Sequence, residues 1–175
     1  MKRPGLTPCA FHSPQIGCMG YSIMLTQRSR YALRAMMFLA EAPPGGPPIP
    51  MNRIAAEANV PRKFLELILA DLREAGFLHS HRGKMGGYCL SRPTHLISLG
   101  EIIRVIEGPL ALVPCVSRTA YRSCKDCKDE ASCAIRHAMM RVRDETARIL
   151  DGGSQLRSVP EHWGRFHHGA GFVIV

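Results

Sequence analysis

Residues 51–92 read MNRIAAEANVPRKFLELILADLREAGFLHSHRGKMGGYCLSR, and no other stretch restricts the possible folds as strongly. A short helix is expected over 51–58 and a turn at Asn59 and Val60. A second helix then begins near Pro61, which suits a first helical position. Leu65, Ile68, Leu69 and Leu72 recur at i, i+3, i+4 and i+7, which gives that helix one buried stripe. Gly76 ends it as a left-handed cap. Strands follow at 77–82 and 88–90 around a glycine-rich turn. Helix, turn, helix and ribbon in this order form a winged helix-turn-helix, a layout that carries one helix into the DNA major groove. The start of the second helix, at Arg62, Lys63, Phe64 and Glu66, is then the reading edge. Arg82 and Lys84 at the ribbon tip are placed for phosphates or the minor groove. The glycine turn lacks both the GxGxxG and the GxxxxGK[ST] spacing, which excludes the common nucleotide loops.

The flanks fit around this unit. Thr26 or Ser29 caps a helix over YALRAMMFLAEA, and PPGGPP at 43–48 stops it. Ser98 and Glu101 form a capping box before EIIRVIEG. A long helix is expected from Cys133 onward, with Ile135, Met139, Val142, Thr146 and Ile149 alternating at four and three residues. That seam suits a second copy of the chain. Arg141 with Glu145 and Asp144 with Arg148 are i, i+4 pairs on its flanks. The expected architecture is mainly α with a small β-wing: a winged helix-turn-helix plus a long C-terminal dimerisation helix. Residues 1–23 read as a disordered extension, with Met24 a possible true start. Residues 24–95 form the DNA-binding domain, 96–151 the cysteine loop and dimerisation helix, and 152–175 a flexible tail.

Charge agrees with a polyanion partner. Residues 1–100 carry 12 Lys and Arg against 5 Asp and Glu, whereas 101–175 carry 11 against 9. No apolar run reaches the roughly 18 residues of a membrane span, and no secretion signal is apparent. A cytoplasmic, nucleoid-associated protein is expected.

Four of the seven cysteines, Cys115, Cys124, Cys127 and Cys133, fall within 19 residues. In a chain without a secretion signal this clustering points to metal or redox chemistry. Thiolates suit both zinc and iron–sulfur clusters, and the spacing alone does not choose between them. A thiol redox switch needs no metal at all. A CxxC oxidoreductase is disfavoured, because Cys124 and Cys127 do not open the helix of a βαβ unit. Cys89, in the return strand, reads as a small buried filler.

The segments LTQRSRYALRAM, IAAEANVPRKFLELILADLREAGFLHSHRGKMGGYCLSR and ISLGEIIRVIEGPL, followed by the cysteine loop, resemble the Rrf-two family of bacterial winged-helix regulators. That family includes IscR, NsrR and RirA. The resemblance implies a homodimer on a palindromic operator and an iron–sulfur cluster, 2Fe-2S or 4Fe-4S, that reports on iron, cluster supply, nitric oxide or oxidation. It places Arg62, Lys63, Phe64, Glu66 and Arg82 at the DNA, and Cys115, Cys127 and Cys133 at the cluster. The fourth ligand departs from the family's pattern. The histidine of IscR corresponds to Arg136, and the aspartate of NsrR to Arg30. Cys124 or a non-protein group is left to complete the set.

Overall fold

The computed structural model describes residues 25–83, 85–127, 129–153 and 156. The expected extension, Lys84 and most of the expected tail lie outside the described residues. Five α-helices and one two-stranded ribbon are present among them: α1 (Gln27–Ala40), α2 (Met51–Glu57), α3 (Arg62–Glu74), β1 (Leu78–His81), β2 (Gly87–Leu90), α4 (Leu99–Glu107) and α5 (Ala134–Arg148).

The Thr26 hydroxyl accepts from the Ser29 amide and caps α1. The expected capping box of α4 is complete, with Ser98 and Glu101 each bonding the other's backbone amide. Pro61 stands one place earlier than expected, as the extended N-cap of α3. Asn59 takes the left-handed turn before it, with φ 50°, a conformation that Asn tolerates better than most residues. Gly76 leaves α3 at φ 80°, as a left-handed cap requires.

One core joins the first four helices. Leu65, Ile68, Leu69 and Leu72 of α3 are fully buried against Ala32, Ala35 and Met36 of α1, Ile54 of α2 and Ile102 of α4. Each such aliphatic side chain contributes roughly 1.5–3 kcal/mol relative to exposure, so α3 is a fixed element. Polar ties close the seams. Arg28 pairs with Asp71 between α1 and α3, and the Thr26 amide donates to Glu107 at 2.9 Å between α1 and α4.

The ribbon is antiparallel, pairing Leu78 with Leu90, His79 with Cys89, Ser80 with Tyr88 and His81 with Gly87. A third segment joins it. Ile49 and Tyr88 exchange two backbone hydrogen bonds of 2.9 Å, which anchors the wing to the chain just before α2. Gly87 is required here, because a Cβ on it would collide with the backbone carbonyl of Ile49. Arg92 lies 4.6 Å over the Phe77 ring and pairs with Glu101 at 3.2 Å, which fixes the far end of the ribbon to α4.

α5 is regular from Ala134 to Arg148 and then widens into a π-turn at Ile149–Gly153. Neither expected i, i+4 pair forms on it. Asp144 is taken by Arg118 from the preceding loop and by its neighbour Arg143, and Glu145 is taken by Arg148 one place closer. Past the π-turn, Leu156 is buried, and its amide donates to the Ile97 carbonyl at 3.1 Å. The chain is therefore tied to the core within the segment expected to be a tail.

Asp151 bridges this turn to α4 through two hydrogen bonds from Arg104, of 2.8 and 2.7 Å. The Arg104 hydrogen bonds hold its carboxyl below the usual carboxylate range, against a smaller opposing effect of burial. A carboxyl depressed in the folded state contributes stability that is present above its unfolded pKa and lost as pH falls through the folded value. Asp151→Asn is expected to remove that acid-limb dependence, so that urea midpoints of variant and parent differ near neutral pH and converge in strong acid. Equal midpoints at all pH values would show the bridge to be inert.

Candidate nucleic-acid interface and cysteine cluster

α3 turns its buried stripe inward, so Lys63, Leu67, Ala70 and Glu74 fall on the opposite face, at i, i+4, i+7 and i+11. Lys63 is exposed and has no ion-pair partner among the described residues. Arg62 and Glu66 sit beside it, more than half exposed and 3.6 Å apart. Such an exposed pair is worth little to stability and is free to exchange for another partner. Phe64 flanks the stripe. Its ring packs on Tyr31 of α1, with centroids 6.0 Å apart, while 55% of the residue stays exposed.

Leu67 is not among the residues expected at the DNA. It is 63% exposed in the middle of the outward face. The signal was available, since Leu67 lies outside the i, i+3, i+4, i+7 stripe. With Ala70 it makes an apolar break between Lys63 and Glu74 on that face.

The wing brings a second basic element to the same side. Arg82 follows β1, is exposed, and makes no ion pair among the described residues. An open groove of about 400 Å³ separates α2 and α3 from the ribbon, with Arg62, Arg73, Asn52 and Arg82 on its walls. Lys84 lies outside the described residues. Of the residues expected at the DNA, the groove brings Arg62 and Arg82 together, while Lys63, Phe64 and Glu66 lie on the exposed surface of α3 outside its walls.

The cysteine loop joins α4 to α5. Cys115 sits in a single helical turn, Pro114–Val116, and is buried with Ala111 and Val116 in a second small core. Cys124, Met139 and Met140 pack on that core. The Cys127 thiol is pushed up to about 12 by hydrogen bonding to Cys133, then by burial and by Cys124. The Cys127 thiol thus lies between those of Cys133 and Cys124. Cys133 is the N-cap of α5. The Arg136 amide at the positive start of that helix lowers its pKa, and the Cys127 thiol adds to the effect. Among the described residues, no three ligating groups already stand at metal-binding distances.

Arg136 and His137, in the first turn of α5, both have polar partners of their own. The His137 ring is hydrogen bonded at 2.7 Å to the Ala131 carbonyl, and Arg136 pairs with Glu130 at 3.4 Å.

Cys89 corrects its expectation. It is half-buried, and its sulfur lies 3.5 Å from Nε2 of His81. Leu78, Tyr88 and Leu90 occupy the core-facing side of the ribbon, and the period of two turns Cys89 away from them.

A family model described as iron-dependent transcriptional regulator, Rrf2, matches residues 25–155. An rrf2-like HTH-type transcriptional regulator of Rhodobacter capsulatus is 44% identical over 121 residues, covering 68% of this chain and 81% of the relative. Among solved structures, CymR, the global cysteine regulator of B. subtilis, superposes with a TM-score of 0.62 at 32% identity, over 78% of this chain and 95% of CymR. Staphylococcus aureus CymR in an oxidized form gives a TM-score of 0.59 at 31% identity, over 79% and 96%. Among the described residues, no helix is long and apolar enough to cross a membrane. The shared fold, the basic groove and a family match spanning most of the chain lead to one conclusion: this protein belongs to the Rrf2 family of transcriptional regulators.

Proposed function

We propose that the chain works as a homodimer on a palindromic operator, and that an iron–sulfur cluster held by Cys115, Cys124, Cys127 and Cys133 sets its affinity for that operator. What supports this reading is the placement of the Cys127 thiol beside those of Cys133 and Cys124, on the loop that leads into α5. Four soft donors fit a cluster chemically. When bound, the cluster supplies a link between the loop thiols that oxidation or nitric oxide can break.

The chain's own contacts carry the consequence. Arg143 of α5 donates to the Val116 carbonyl, and Arg118 bonds Asp144 at 2.9 Å. The loop is thereby tied to the helix. α5 has no buried residue, and Ile135 and Val142 on it and Ile149 just after it stand exposed. An apolar face of that kind is suited to an identical helix. Movement of the loop shifts α5, and with it the spacing of two α3 helices that must meet half-sites roughly 34 Å apart.

A second reading has its own support. The likeness to CymR, including an oxidized form, favours a thiol switch without a cluster, and zinc on the same thiols is a variant of it. Both readings keep the groove as the DNA site. Arg82→Ala is expected to weaken binding to a duplex operator selected from a random pool by roughly 1–3 kcal/mol if the side chain reads a base edge. If it contacts phosphate, the salt slope falls by about one instead. Unchanged affinity and slope in a fluorescence anisotropy titration would remove the wing from the interface.

A further inference from the structure

The face of the wing turned from the core carries three metal-ligating side chains, one of which, His81, also lines the groove beside α3. Strand alternation puts His79 and His81 of β1 on the face away from the core, and both are exposed. Cys89 of β2 is directly opposite His79 in the register and so shares that face. The Cys89 sulfur and the His81 Nε2 atom are 3.5 Å apart. Sulfur at 2.3 Å and nitrogen at 2.0–2.1 Å from one tetrahedral zinc would also be separated by about 3.5 Å. Two ligand positions therefore already have the spacing of one edge of a zinc tetrahedron.

The third is in reach. The Ser91 amide donates to the Phe77 carbonyl, so alternation along the ladder makes His79 and Cys89 a hydrogen-bonded pair, with Cα atoms about 5.5 Å apart. A side-chain rotation of His79 is what remains to close the set, in keeping with the absence of a preassembled trio among the described residues. We propose that His79, His81 and Cys89 form a zinc-class metal site on the outer face of the wing, with a fourth, solvent-facing position open to water. Binding transfers the Cys89 thiol proton to solvent and uses the free nitrogen lone pair of each neutral imidazole. The ion fastens β1 to β2 and places positive charge beside Arg82.

The site is separate from the cysteine loop, and the test keeps the two apart. Cobalt(II) is titrated into the reduced full-length protein, and the visible and near-ultraviolet bands are followed. Parent protein is expected to bind one equivalent more than Cys89→Ser, His79→Gln or His81→Gln, each weakening that equivalent by at least about tenfold. Cys127→Ala is expected to retain it. Cys89→His is expected to keep the equivalent while losing its thiolate-to-cobalt band. Equal stoichiometry in parent and all three wing variants overturns the site, and so does retention of the equivalent in His79→Gln.

Discussion

Cys127→Ala is expected to flatten the response of operator binding to oxidation while leaving the reduced protein folded and able to bind DNA. Cys127 is the centre of the thiol group, with both Cys133 and Cys124 as neighbours. Its loss leaves at most two of the three gathered thiols. Allosteric coupling of about 1–3 kcal/mol corresponds to a 5- to 150-fold change in affinity. The parent is expected to show a change in that range between cluster-loaded and oxidised protein, and the variant none. The core of α1 to α4 shares no residue with the cysteine loop, so thermal stability of the DNA-binding part is expected to be retained. A variant that still responds like the parent would move the sensing role away from this loop.

Val142→Asp is expected to separate the two copies of the proposed dimer. Val142 lies in the middle of the apolar seam of α5 and is 41% exposed in the single chain. Pairing two such helices would bring the carboxylates together in a desolvated interface, where unpaired charge is costly. Sedimentation is expected to show monomer in place of dimer. Operator affinity then falls by about 10²-fold or more, because the second half-site is no longer engaged within one complex. Single half-site binding is expected to be unaffected. A variant that sediments as a dimer would place the interface elsewhere.

The elements that rest on local patterning were legible before the structure. The stripe of Leu65, Ile68, Leu69 and Leu72, the capping box at Ser98 and the turn at Asn59 each follow from spacing and residue type within a few positions. What escaped depends on contacts between distant parts of the chain. The bridge of Ile49 to Tyr88 has no periodic signal, since a single residue beside a proline run supplies it. The partners of Asp144 could not be read from helical spacing, because Arg118 arrives from a loop that has no regular period. Leu156 looked like tail, yet it is buried in the main core. Cys89 was misread because burial was inferred from residue type, whereas the ribbon's alternation already turned it outward. On α3, the outward positions were legible from the stripe they oppose. The contact of Phe64 with Tyr31 was not, because it depends on how α1 crosses α3.

The most direct test of the cysteine-loop account is the visible absorption spectrum of protein purified without oxygen, with iron and acid-labile sulfide assayed on the same sample. A brown protein with matched iron and sulfide is expected, with loss of both in Cys127→Ala. A protein that stays colourless after reconstitution would contradict the cluster and leave the thiol switch or zinc on the same four cysteines.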